Sequence, residues 1–142
     1  MRSVNRRIGA IAALFLVLAA LAGPSSGSAA QASSAVGTLG VDLTEWAVVP
    51  SQGLVSSGPL RLTVQNYGVL VHQLEIIPTQ VWGEKLGVRH GRSVGEAIAR
   101  PVVVRPGQTR SAQISLAPGS YVLLDNIRGH YAAGGAVSII VR

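Results

Sequence analysis

Residues 119–135 read GSYVLLDNIRGHYAAGG, an apolar run followed by a polar, glycine-rich segment. The apolar run from Tyr121 to Leu124 predicts a buried strand. The glycine-rich residues that follow predict a turn, and the run from Ala136 to Val141 predicts a last strand. The end of the chain is therefore expected to form two short strands joined by a polar loop.

The chain upstream of this stretch shows the same organisation. Gly58-Pro59 and Pro106-Gly107 mark turns between short runs of apolar residues. The predicted strands are Val41 to Val49, Leu60 to Gln65, Val69 to Ile77, Val102 to Val104 and Arg110 to Leu116. In the third of these, the more apolar face carries Leu70, His72, Leu74 and Ile76. Seven or so short strands at this spacing predict an all-β Greek-key sandwich or small barrel.

One interval, from about Thr79 to Arg100, shows no alternation of apolar and polar residues. Within it, Ser93 and Glu96 have the spacing of a helix capping box, and Pro101 marks a stop. These signals predict one long loop that contains a short helix over Ala97 to Ala99.

The first 32 residues have the order of a secretory signal peptide. Three arginines are followed by an apolar run from Ile8 to Ala22, and Ala30-Gln31-Ala32 fits a cleavage site. We therefore expect a signal peptide over residues 1–32, a mature domain over residues 33–142, and a secreted or periplasmic location. The alternative is an uncleaved anchor, which would be the protein's only contact with a membrane.

The net charge of +6 does not indicate nucleic-acid binding. Arg2, Arg6 and Arg7 lie in the predicted signal, so cleavage would remove three charges and leave +3, which is spread thinly along the domain. The sequence contains no cysteine, so the fold has no disulfide and no thiol for lipid attachment.

Recognisable catalytic arrangements are also absent from the sequence. There is no G-x-S-x-G elbow, no phosphate-binding glycine loop and no paired-carboxylate pattern among the six acidic residues. We therefore do not expect an enzyme. The residues that remain as candidates for chemistry are His72 in a predicted strand, His90 in the long loop, and His130 after the penultimate strand.

The segment from Tyr121 to Gly135 resembles the cupredoxins, also called blue or type 1 copper proteins. Members of that family typically show G-x-Y, a strand, and then C-N-x-x-G-H-Y-x-x-G-M before the final strand. The matching residues here are Gly119, Tyr121, Asn126, Gly129, His130, Tyr131 and Gly134. Upstream, residues 66–76 are similar to the family's N-x-G-x-x-x-H-x-x-x-I strand. The resemblance covers nearly all of the expected mature chain.

The resemblance implies a metal site but also changes it. In the family, copper is held by a histidine on the middle strand and by a cysteine, a histidine and usually a methionine around the last loop. The two histidines correspond to His72 and His130, the cysteine position is Asp125, and the methionine position is Gly135. Both sulfur ligands are therefore missing.

Two imidazoles and a carboxylate form a harder ligand set than that of a blue site. Such a set suits Cu(II) completed by water, and it also suits Zn(II). The resemblance thus favours a non-blue Cu(II) site at His72, Asp125 and His130 for metal handling or delivery. The expected partners are a metal ion and possible proteins outside the cytoplasm, and the thin spread of charge argues against nucleic acid.

Other interpretations of the same residues stay open. His72 could be a hydrogen-bonded core histidine, Asp125-Asn126 could form an Asx turn, and His90 could be a solvated loop residue or an extra ligand. The first alternative function is a metal-free structural or interaction module of the same fold. The second is an electron carrier, which the loss of thiolate and thioether disfavours.

Overall fold

The computed structural model describes residues 36–142, and these residues form eleven β-strands and no helix. No part of the described chain therefore provides a helix long and apolar enough to cross a membrane. The strands are β1 Gly37–Thr44, β2 Ala47–Pro50, β3 Leu54–Val55, β4 Gly58–Asn66, β5 His72–Thr79, β6 Val88–Arg89, β7 Arg92–Ser93, β8 Val102–Val104, β9 Thr109–Leu116, β10 Gly119–Asp125 and β11 Ala136–Val141. The predicted signal peptide and its boundary with the domain lie outside these residues and stay predictions.

Two sheets form a sandwich, which confirms the predicted all-β fold. One sheet has the strand order β2-β1-β4-β9 and the other β3-β11-β10-β5-β8. The chain passes between the sheets from β4 to β5 and again from β8 to β9 and β10, as expected for a Greek-key connection. Most pairs are antiparallel, whereas β1 runs parallel to β4 and β3 runs parallel to β11.

The main core lies between the two sheets. In β1 and β4 buried and more exposed residues alternate, as the period of two along a strand requires. Both sheets contribute side chains to one apolar cluster. Its members that are no more than 2% exposed include Leu39, Leu62, Leu74, Leu123 and Ile139. Burial of this cluster is the main source of stability in a chain without disulfides.

The outer face of β5 and β10 is also buried, because the segment between β5 and β8 covers it. Ile77, Val122 and Leu124 form a second apolar cluster there, with Leu86 and Tyr131 packed against it. This explains why β10 is buried at every position from Tyr121 to Asp125. A strand covered on both faces reads as a continuous apolar run.

The predicted short helix in this covering segment is wrong. Ser93 lies instead in β7, which pairs with β6 in a two-stranded ribbon. The N–H of Ser93 donates to Asn126 Oδ1 at 2.7 Å, and the N–H of Ile98 donates to the carbonyl of Ile76 at 3.0 Å. Because tertiary partners take these donors, the capping-box spacing cannot start a helix.

Two predicted strands are shorter than expected. The run from Val41 to Val49 is broken at Glu45-Trp46, where the chain turns from β1 into β2. The run from Val69 to Ile77 becomes a strand only at His72, so Leu70 is 44% exposed and does not share the buried face. These differences place Glu45 and the segment 68–71 at the same end of the sandwich.

Candidate metal centre

His72 and Asp125 lie at the end of the inward faces of two paired strands. Along β5 the core residues Leu74 and Ile76 follow His72 with a period of two, and along β10 the core residue Leu123 precedes Asp125 in the same way. Asp125 lies directly opposite Leu74 in the antiparallel register. The two polar side chains therefore continue the core at one end of the sandwich.

The loop after β10 brings His130 to the same place. Nδ1 of His72 lies 2.6 Å from Asp125 Oδ2, and Nδ1 of His130 lies 2.5 Å from the same oxygen. The two imidazole rings are tilted by 59° with their centroids 5.3 Å apart. Both histidines therefore turn the same ring nitrogen toward one carboxylate oxygen.

The other oxygen of Asp125 is held by the backbone. Oδ1 accepts the N–H of Gln73 at 2.9 Å and the N–H of Ile127 at 3.1 Å. The bond to Ile127 is the predicted Asx turn, and it coexists with the histidine contacts. Asp125 is thus oriented by one oxygen and presents the other to the imidazoles.

The whole group is buried. His72 is 0%, Asp125 is 2% and His130 is 7% exposed. The indole of Trp46 meets His130 edge-on with ring centroids 5.5 Å apart, while the indole itself stays largely exposed. His130 therefore lies just under the surface and His72 lies deeper.

Gly135, at the position where the related motif carries methionine, has no room for a side chain. A Cβ atom there would lie 2.9 Å from the backbone oxygen of His130 and 3.4 Å from Cβ of Asp125. The backbone is fixed at this point, since Gly135 donates to the His130 carbonyl at 2.9 Å and accepts the Asp125 N–H at 2.8 Å. The tight loop thus brings glycine, not an axial ligand, against the cluster.

A buried polar network attaches the β6–β7 ribbon to this loop. Asn126 donates through Nδ2 to Glu75 Oε2 at 2.7 Å and accepts the Ser93 N–H. Its own carbonyl accepts Arg92 Nη1 at 2.7 Å. The carbonyl of Gly91 in the ribbon accepts the Gly129 N–H, also at 2.7 Å. The ribbon therefore fixes Asn126, which follows Asp125, and Gly129, which precedes His130.

Replacing Asn126 with alanine should loosen this attachment. The Ser93 N–H and a Glu75 oxygen would lose their partners in a buried place, which costs about 1–3 kcal/mol for each such group. We expect a loss of about 2–3 kcal/mol in the free energy of unfolding by urea, and faster amide exchange in the ribbon. Thr63→Ala, which removes only an exposed hydroxyl contact, is the control. Unchanged exchange in the ribbon would contradict this role for Asn126.

His90 does not join the group. It lies in the turn between β6 and β7, is exposed, and has a φ of 51°, followed by Gly91 at 77°. Two successive positive φ values in a two-residue loop define a type I′ hairpin turn. The described residues hold a single group of three possible metal ligands that approach one another, and it consists of His72, Asp125 and His130.

Glu45 is a residue near this group that the sequence did not single out. It lies in the turn between β1 and β2, and its Oε1 accepts the N–H of Val69 at 2.5 Å and of Leu70 at 3.2 Å. Hydrogen bonds from backbone N–H groups, chiefly that of Val69, hold the pKa of Glu45 below its usual value. No local pattern could have found it, since its contacts are more than twenty residues away.

The three donor atoms fit a metal ion after a small expansion. Nδ1 of His72, Oδ2 of Asp125 and Nδ1 of His130 lie within 4.8 Å of one another. Metal bonds of about 2.0–2.1 Å at angles of about 90–110° would separate neighbouring donors by about 2.8–3.4 Å. The carboxylate would therefore have to move away from the imidazoles by about 0.5 Å. Two imidazoles and one carboxylate suit Cu(II) or Zn(II).

The arrangement of sheets and loops is the cupredoxin fold. Among solved structures, the chain is similar to reduced auracyanin from the photosynthetic bacterium Roseiflexus castenholzii, with 21% identity, a TM-score of 0.56, and coverage of 74% of this chain and 96% of that one. It is similar to auracyanin B at 19% identity and a TM-score of 0.55, over 74% and 88% of the two chains. The chain is also similar to rusticyanin from Thiobacillus ferrooxidans, with 19% identity and a TM-score of 0.53, over 74% of this chain and 77% of that one.

The sequence itself gives no match of this kind. Neither a protein-family model nor a curated protein matches the chain. The similarity to auracyanin and rusticyanin therefore establishes the fold, and the function has to be argued from the group of His72, Asp125 and His130.

Proposed function

We propose that this protein binds one copper ion as Cu(II) at His72, Asp125 and His130, in a non-blue site used for metal handling or delivery outside the cytoplasm. The observation that carries this proposal is the convergence of two buried imidazole Nδ1 atoms on one carboxylate oxygen. Because the two rings already face a common point, binding a metal requires little rearrangement of the fold.

The three residues would supply two nitrogen ligands and one oxygen ligand. When bound, Cu(II) would act as the cargo or the structural ion of this site. Asp125 would neutralise one of its charges, and the backbone N–H groups of Gln73 and Ile127 would keep the carboxylate oriented. Zn(II) suits the same ligands, so a zinc titration belongs beside the copper titration.

An electron-transfer role is less favoured. One similar structure is described as auracyanin reduced with dithionite. In this chain the thiolate position is an aspartate and the thioether position is a glycine, so neither ligand that holds Cu(I) is available. Export, which the proposed location requires, rests on the signal-like residues 1–32.

A metal-free module is the second candidate, and one observation favours it. When both Nδ1 atoms carry protons, Asp125 Oδ2 accepts from both imidazoles while Oδ1 accepts two backbone N–H groups, so that the carboxylate is fully satisfied without a metal. In that case the cluster would serve only to close the end of the sandwich.

A calorimetric titration of the purified protein with Cu(II) separates the two candidates. We expect one copper site per chain. His72→Ala and His130→Ala should each weaken copper binding by at least about 100-fold, because mutation of a residue that only hydrogen-bonds to a metal ligand already lowers metal affinity by about 10–100-fold. His90→Ala is the matched control, because that imidazole is exposed and lies outside the cluster. If wild type binds no copper, or if the His90 variant loses as much affinity as the His130 variant, the proposed site is wrong.

A further inference from the structure

The carboxylate of Glu45 is held against the chain segment that precedes His72. Its Oε1 accepts the backbone N–H of Val69 and that of Leu70, and both residues lie in the connection between β4 and β5. This places a negative charge at the end of the sandwich that contains the histidines. The bonds to the backbone fix where that charge lies.

The far side of the His72 ring has no partner. Nδ1 faces Asp125, but Nε2 is buried and makes no hydrogen bond, and the side chain is 0% exposed. Buried polar nitrogens in native proteins almost always have a partner, so an unpaired one calls for an explanation. Nε2 is the atom that must carry the proton if Nδ1 is to bind a metal.

Gly68 separates this nitrogen from Glu45. A Cβ atom built on Gly68 would lie 2.9 Å from His72 Nε2 and 2.9 Å from Cδ of Glu45. The imidazole nitrogen and the carboxyl carbon are therefore no more than twice that distance apart, with no side chain between them.

We propose that Glu45 is a positioning residue for His72. The negative charge of Glu45 favours the His72 tautomer with the proton on Nε2, and this leaves the Nδ1 lone pair free to bind the metal. The inference rests on the proposed copper function. The turn between β1 and β2, which lies outside the ligand motif, would then contribute to the site through Glu45.

Two carboxylates then act on opposite sides of one ring. Asp125 Oδ2 favours a proton on Nδ1, and Glu45 favours a proton on Nε2. Metal-bound histidines commonly direct their second N–H toward a carboxylate, which fixes the tautomer and makes the ligating nitrogen more basic. If the charge of Glu45 is removed, Asp125 alone acts on the ring and the proton stays on the atom that the metal needs.

Glu45→Gln tests this proposal in the purified protein. The amide oxygen can still accept the N–H groups of Val69 and Leu70, so the loop is kept while the charge is lost. Asp42→Asn is the matched control, because Asp42 is an exposed acid on β1, the strand that leads into the turn of Glu45. We expect Glu45→Gln to weaken Cu(II) binding by about 10–100-fold, and the control to bind within about twofold of wild type.

A second measurement needs no metal. The nitrogen-15 chemical shifts of the His72 ring report which nitrogen carries the proton. We expect the Nε2 resonance of the metal-free Glu45→Gln variant to move toward the unprotonated position relative to wild type, and that of the Asp42→Asn variant to stay unchanged. A purely structural role of Glu45 would not move this resonance.

The outcomes separate this inference from the copper proposal. If wild type binds no copper, the copper proposal fails and the nitrogen-15 shifts alone decide about Glu45. Identical Nε2 shifts in wild type and Glu45→Gln overturn the inference. A copper affinity of the Glu45→Gln variant within twofold of wild type also overturns it. If the glutamine variant does not fold, Glu45→Asp replaces it. Its charge is set back by one methylene, so a smaller shift in the same direction supports the inference and no shift overturns it.

Discussion

Replacing Asp125 with cysteine is expected to turn the copper-loaded protein blue. The cysteine sulfur would lie one atom closer to the backbone than Asp125 Oδ2, which now lies only 2.5 and 2.6 Å from the two imidazole nitrogens. The change therefore opens the space that a metal needs while it supplies a thiolate. A His2Cys ligand set is the trigonal plane of a blue copper site, with its intense thiolate absorption.

Asp125→Ser is the control for this experiment, because serine has the same length as cysteine and no thiolate. With Cu(II) added, the serine variant should stay pale, and the cysteine variant should absorb strongly in the red part of the visible spectrum. A cysteine variant that binds copper and remains colourless would show that Asp125 does not lie in the ligand plane of His72 and His130.

Replacing Asp125 with alanine should cause the largest loss of stability of any change at the cluster. It removes the acceptor of both imidazoles and of the Gln73 and Ile127 N–H groups in a place that is almost fully buried. Each buried polar group that is left without a partner costs about 1–3 kcal/mol, so several such losses together amount to about 3–5 kcal/mol. We expect a loss of this size in the free energy of unfolding by urea, measured with a chelator present.

Asp125→Asn should cost less, because its amide oxygen can still accept the two backbone N–H groups. Asp42→Ala removes a carboxylate from the exposed side of β1 and should change stability by no more than about 0.5 kcal/mol. If Asp125→Ala costs less than about 1 kcal/mol, the hydrogen bonds to Asp125 do not hold the cluster together as described.

The fold was largely predictable because its core strands carry strong local signals. Alternation along β4 and the apolar run before Arg142 marked strands that the structure contains, and β11 has the predicted bounds Ala136–Val141. The β6–β7 ribbon was missed since each of its strands has only two residues. Its turn also uses His90-Gly91 where Asn-Gly would be the usual signal.

Some residues of the candidate site could be identified from the sequence, and others could not. His72, Asp125 and His130 were found because they occupy motif positions, and the structure brings them together. Glu45 and Trp46 were read as part of one strand, and their contacts with Val69 and His130 depend on a turn that alternation along the chain does not reveal. Tertiary contacts of single side chains leave no periodic trace in a sequence.

We propose that His72, Asp125 and His130 form a non-blue copper site. Its most direct test is the metal content and EPR spectrum of the protein recovered from the compartment in which it accumulates. We expect about one copper per chain, with the broad hyperfine splitting typical of nitrogen and oxygen ligands rather than the narrow splitting of a thiolate site. Recovery without copper, together with no Cu(II) signal that stays with the protein once added Cu(II) in excess has been removed by gel filtration, would show that this site does not exist.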